Sequence, residues 1–111
     1  MPSSADLHDR CLRIETFVDG HVTRIVLHGE ADSACAGHLE AALADIERDG
    51  SGSVELHVSD LGFVDVAALR RLTLYARALR QAGCHVETHG AQPLLAELVR
   101  LTGVREDLGL V

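Results

Sequence analysis

Between Val54 and Leu79 the spacing of apolar residues changes from two to about 3.6 within a few positions. Val54, Leu56 and Val58 alternate with Glu55 and His57, the pattern of a strand whose two faces differ in polarity. From Val66 on, Leu69, Leu72, Ala76 and Leu79 form a helical stripe, and Arg70, Arg71, Arg77 and Arg80 lie mostly off it. Gly83 stops that helix, and Cys84, Val86 and Thr88 then alternate with His85, Glu87 and His89. A strand, a helix and another strand in this order predict a right-handed crossover between parallel strands.

The same reading extends both ways. Leu12, Ile14, Thr16 and Val18 alternate with Arg13, Glu15 and Phe17, and after "DGH" a second run, "VTRIVLHG", completes a predicted hairpin. Asp32 and Ser33 offer N-cap oxygens to a first helix carrying Leu39, Ala42, Leu43 and Ile46. Gln92 to Leu101 reads as a third helix with Pro93 in its first turn. The order β-β-α-β-α-β-α is an α/β fold with a mixed β-sheet of about four strands. Alternation in the later strands implies that helices cover mainly one face, since strands buried on both faces would be apolar throughout. Arg13, Glu15, Glu55, His57, His85 and Glu87 would lie on the other face. We expect a tail over residues 1–9 and a single domain over 10–111.

Composition narrows the function classes. Hydrophobic residues make up 47% of the 111 residues, but no run approaches the roughly 20 apolar residues that span a bilayer. "MPSSADLHDR" has no basic segment followed by an apolar one, so no signal peptide and a cytoplasmic location are expected. Seventeen acidic side chains against ten arginines give a net charge of −7 with no lysine, which disfavours nucleic acid and anionic lipid. A protein partner is expected instead. Cys11, Cys35 and Cys84 are odd in number and lack a C-x-x-C spacing, so reduced thiols are expected.

No catalytic residues are expected, because neither G-x-S-x-G nor a glycine-rich phosphate loop occurs. No metal or cofactor is expected either: His85 and His89 share a strand face, but Cys84 points the other way and no fixed ligand set appears. Cys35 in the first turn of the first helix could be a sensitised thiol, though a small buried side chain is the simpler reading. "GEAD", Gly29 to Asp32, reads as a cap by Asp32. The unusual stretch is "LGFVDVAALRRL", Leu61 to Leu72, where a helix begins with Val66, Ala67 and Ala68 although polar residues normally gather there.

With "GEAD" after the second strand and "VSDLGFVDVAAL" at the third strand's junction with the second helix, the chain resembles the STAS domain, in particular the small bacterial anti-sigma-factor antagonists. The resemblance covers about residues 10–108 and includes "RQAGCHVETHG" and "LVRLTGV". In that family the motif usually reads Phe-Ile-Asp-Ser-Ser-Gly-Leu, and its first Ser is phosphorylated by an anti-sigma factor that is itself a serine kinase. Phosphorylation releases the partner. Here Phe63, Val64, Asp65 and Leu69 match, while Val66 stands at the phosphoacceptor, Ala67 at the second Ser and Ala68 at the Gly. His57 stands where the family often has Asp or Asn.

The resemblance therefore implies a regulator that binds an anti-sigma factor or serine-kinase-type partner through Asp32, Asp65, Val66, Ala67, Ala68 and Arg70, with no phosphorylation at Val66. A phosphate on Ser59 or Thr73 that abolished binding would contradict it. Two alternatives accompany this reading: a non-switching scaffold subunit assembled with other STAS proteins, and a small-ligand sensor. The sensor ranks last because Asp32 and Asp65 make its pocket anionic. Val66 to Ala68 form either an exposed apolar patch or a turn packed against the neighbouring loop.

Overall fold

The computed structural model describes residues 12–31, 41, 43, 44 and 52–111. Strand β1 (Leu12–Asp19) turns at Gly20, whose φ of +62° suits a residue without a side chain, into β2 (Val22–Ala31). The two pair antiparallel from Leu12 opposite Gly29 to Asp19 opposite Val22, which is the predicted hairpin. β3 (Ser53–Val64) lies parallel to β2, and β4 (His85–His89) lies parallel to β3. The sheet order β1-β2-β3-β4 is the predicted mixed sheet.

Residues 41, 43 and 44 are helical and Leu43 is buried, as the first predicted helix requires. Asp32, Ser33, Cys35, Leu39, Ala42 and Ile46 lie outside the described residues, as do residues 1–9 of the expected tail and Cys11. The second predicted helix is α1 (Val66–Gln81) and the third is α2 (Pro93–Thr102). A short helix, α3 (Arg105–Leu108), follows and was not predicted.

The core forms where the apolar face of the sheet meets these helices. Ile25, Leu27, Val54, Leu56, Val58 and Val86 come from the strands, Leu69, Leu72, Ala76 and Leu79 from α1, and Val99 and Leu108 from α2 and α3. Each fully buried Leu, Ile or Val stabilises the fold by about 1.5–3 kcal/mol relative to exposure. On the opposite face Arg13, Glu15 and His85 are exposed and Glu55, His57 and Glu87 half-buried, as the alternation predicts.

β3 ends on the Phe63-Val64 pair just before the helix that begins at Val66, and it pairs with β2 through two register shifts, Val26/His28 and Gly29/Glu30. Two details differ from the sequence reading. Cys84 lies just outside β4, in the turn where Gly83 N donates to Arg80 O (3.0 Å) and Cys84 N to Leu79 O (2.9 Å). In β1 only Leu12 and Ile14 reach the core; Thr16, Phe17 and Val18 are all exposed, so the far half of this edge strand is uncovered on both sides.

The outer edge of β4 is closed by the chain itself. Thr88 N donates to Gly109 O and Val111 N to Thr88 O, both at 2.9 Å, forming a parallel bridge to Leu110. Thr88 Oγ1 donates to Leu108 O at 2.7 Å. Arg80 of α1 ties the region together, donating from Nε to Asp107 O (2.9 Å) and from Nη2 to Val86 O (2.6 Å).

Candidate functional site

The junction of β3 and α1 is fixed by one acidic residue. Asp65 N donates to Ala31 O at 3.1 Å, holding the end of β3 beside the end of β2, the strand that precedes Asp32. Its carboxylate Oδ1 accepts from Ala68 N at 2.8 Å, the N-cap arrangement in which a side chain satisfies one of the helix's unpaired N–H groups. The start of α1 is thereby placed at the end of two parallel strands.

The greasy first turn divides along the helix's own geometry. Successive residues rotate by about 100°, so neighbours cannot share a direction. Val66 is 60% exposed, Ala67 is also exposed, and Ala68 is 1% exposed and belongs to the core. Of the six residues expected at a partner surface, Val66, Ala67 and Arg70 present their side chains outward. Asp65 is half-buried as the cap, Ala68 faces inward, and Asp32 lies outside the described residues. Ser59 is exposed, whereas Thr73 is buried with its hydroxyl donating to Leu69 O at 2.8 Å.

The structure adds residues that the sequence reading left out. Phe63 is 51% exposed and Leu74 is 52% exposed, so Val66, Arg70 and Leu74 line one outward face of α1 at i, i+4 and i+8. This face borders a groove of about 270 Å³ whose lining includes Val66, Arg70, Leu74, Arg77, Thr102 and Val104. Leu74 was detectable, since it is the one leucine of α1 that falls off the buried stripe. Phe63 was not, because its direction depends on the irregular pairing of β2 with β3.

Two arginines in this groove differ in kind. Arg77 makes a fork-shaped pair with Asp107, Nε to Oδ1 and Nη2 to Oδ2, each at 3.0 Å. That contact holds the Asp107 carboxyl below its ordinary range and raises the guanidinium's. Arg70 is exposed and has no ion-pair partner among the described residues. It is an available cation between two apolar side chains.

The uncovered sheet face holds a second constellation. Glu55 lies opposite Glu87, and His57 opposite His89, in the parallel register of β3 and β4. His57 Nε2 lies 3.0 Å from Glu55 Oε1, and His89 Nε2 lies 3.0 Å from Glu87 Oε1. His85 Nε2 reaches the other oxygen of Glu87 at 3.1 Å. The hydrogen bond to His57 lowers the Glu55 carboxyl below its ordinary value, and those to His85 and His89 lower that of Glu87. The donor atoms of Glu55, Glu87 and His89 all lie within 4.8 Å of one another. The sequence reading weighed His85 and His89 beside Cys84, set Cys84 on the other side, and did not consider the cross-strand carboxylates, although "ELH" and "ETH" are two copies of one E-x-H pattern.

A four-stranded mixed sheet with helices on one face, and a parallel strand feeding an N-capped helix at its end, define a STAS-type α/β domain. The family model described as "Mlab, STAS domain" matches residues 16–111, and the chain belongs to this family. No curated protein matches it. Among solved structures, an anti-sigma factor antagonist from Mycobacterium paratuberculosis has a TM-score of 0.79 at 20% identity, covering 91% of this chain and 86% of that one. SpoIIAA of Bacillus in its phosphorylated form has a TM-score of 0.66 at 17% identity, covering 91% and 89%. A STAS-domain antisigma-factor antagonist from Rhodobacter sphaeroides has a TM-score of 0.63 at 18% identity, covering 74% and 89%. At these identities the likeness is one of fold. No described helix is long and apolar enough to cross a membrane.

Proposed function

We propose that this chain is a protein-binding regulator of the anti-sigma-factor-antagonist type, which engages an anti-sigma factor or serine-kinase-type partner through the start of α1 without phosphorylation there. The observation that carries the reading is Val66. It occupies the position that the resemblance gives to the phosphoacceptor serine, and it is 60% exposed although nothing in its side chain can carry phosphate.

A phosphate at this place would add about −1.5 to −2 charges beside Asp65 and drive an apolar or acidic partner away. With Val66 the surface keeps one state: apolar at Phe63, Val66 and Leu74, with the Arg70 guanidinium between the last two. Such a surface fits a partner that offers an apolar patch with a carboxylate near its centre. Control would then come from the supply of chain or partner. Burial of Thr73, whose hydroxyl donates to Leu69 O, disfavours one alternative phosphoacceptor, and exposed Ser59 is the one the experiment must check.

The test is capture of partners from host lysate by wild type and by Val66→Asp, which places a charge at the start of α1. Recovery of a kinase-fold anti-sigma factor by wild type and its loss in the variant supports the proposal. Phosphate on Ser59 of native protein, with loss of that partner, overturns the unswitched mechanism.

One observation favours a second reading, the scaffold subunit. Leu94 is 83% exposed and Leu101 is 68% exposed, seven residues apart on one side of α2. A second apolar surface suits a chain that touches two neighbours. Recovery of only other STAS proteins, unaffected by Val66→Asp, selects this reading.

A further inference from the structure

We propose that the two E-x-H pairs of β3 and β4 form a binding site for a divalent transition-metal ion, with Zn2+ as the fitting case, on the uncovered face of the sheet. Glu55 and His57 stand two apart on β3, Glu87 and His89 two apart on β4, and the register sets like beside like. The four side chains therefore form a two-by-two grid, all on one face and all half-buried.

Such a grid gathers two carboxylates and two imidazoles around one point where a cation would neutralise the charge. Carboxylates directly opposite each other on adjacent strands repel, and Glu55 and Glu87 occupy those positions. The imidazoles of His57 and His89 are stacked with centroids 5.1 Å apart and planes inclined by 11°, so both rings stand upright side by side with Nε2 turned toward a carboxylate. Arg24 Nε touches Glu55 Oε1 at 3.2 Å and compensates one carboxylate from the side. Nothing comparable among the described residues serves Glu87, which has only His85 and His89.

The donor set selects the ion. Mixed imidazole and carboxylate ligands suit Zn2+ and its neighbours, whereas Mg2+ and Ca2+ take oxygen alone. Tetrahedral ligation at about 2.0–2.2 Å places donors about 3.4 Å apart, and the donor atoms of Glu55, Glu87 and His89 already lie within 4.8 Å of one another. Rotation about the side-chain bonds closes that gap, with His57 as the fourth ligand. Each ligating imidazole presents its Nε2 lone pair with its one proton on Nδ1, so a neutral ring that carries the proton on Nε2 changes tautomer on binding and a protonated ring releases its Nε2 proton to solvent. His85 holds the second oxygen of Glu87 and orients it, the task of an outer partner.

Titrating Zn2+ into the full chain at neutral pH, followed by calorimetry and by backbone amide NMR, tests the site. One saturable event is expected, with the largest shifts at residues 55–57 and 87–89. The double variant His57→Gln/His89→Gln should weaken it at least about tenfold, as should Glu87→Gln, which leaves both rings in place, while His21→Gln changes nothing. The amide spectrum of each variant shows whether it is folded. Absence of saturable binding, or binding that survives both the double variant and Glu87→Gln, overturns the proposal. Shifts centred on Cys84 would do the same, because they would assign the ion to a thiolate.

Discussion

Asp65 serves two elements with one residue: its backbone N–H closes the end of β3 on Ala31 and its carboxylate opens α1. Replacing a capping Asp by Ala costs about 1 kcal/mol, so Asp65→Ala should lower the unfolding free energy by that much, read as a lower urea midpoint with the denaturant slope unchanged. Gly109 is a harder constraint, since its φ is +62° and a Cβ there would run into the Val86 carbonyl and the Arg80 guanidinium. Gly109→Ala should therefore cost more than about 2 kcal/mol, combining a left-handed backbone with a clash. A thermal midpoint equal to wild type would show that the chain end is not packed as described. At this scale residue type was legible and direction was not. Val66, Ala67 and Ala68 read as one apolar turn, but the helix's rotation sends two outward and one into the core.

Strands and long helices were legible because each repeats its signal several times. β2, β3 and α1 each present at least three apolar residues at a fixed period, and the structure places them in the core. α3 has four residues, too few to show any period, and the two register shifts between β2 and β3 leave no periodic mark in either strand. Cross-strand partners are the other blind spot: sequence shows that Glu55 and His57 share a face, but only the register shows that Glu87 and His89 stand beside them. This pairing has a pH consequence. The folded carboxyls of Glu55 and Glu87 lie below their ordinary value, so the unfolded chain takes up protons first as the medium is acidified. Their contribution is complete above the ordinary value of about 4.3 and is lost as pH falls through the lower folded values. In metal-free buffer, a Glu55→Gln/Glu87→Gln variant should show a flatter fall of Tm between about pH 5 and pH 3 than wild type. An identical acid limb would mean that these pairs do not persist in solution.

The molecule as a whole is asymmetric by construction. Helices and core occupy one side of the sheet, charged and histidine side chains the other, and exposed apolar side chains gather at the start of α1 and along α2. The general plan was visible in the alternation of polarity along the strands; the position of the apolar patches was not, because exposure depends on how helices lie against one another. If α2 mediates assembly, wild type should run above monomer mass by light scattering at high concentration, and Leu94→Glu/Leu101→Glu should return it to monomer. A monomeric wild type leaves the start of α1 as the docking surface. One further consequence follows from the closing of β4 by residues 109–111. Leu12 and Val111 sit at opposite margins of the sheet, so tension applied between them would peel the margins before it loads the β2–β3 pair. Handled mechanically, this domain would fray from both sides toward its middle rather than slide apart along a single seam.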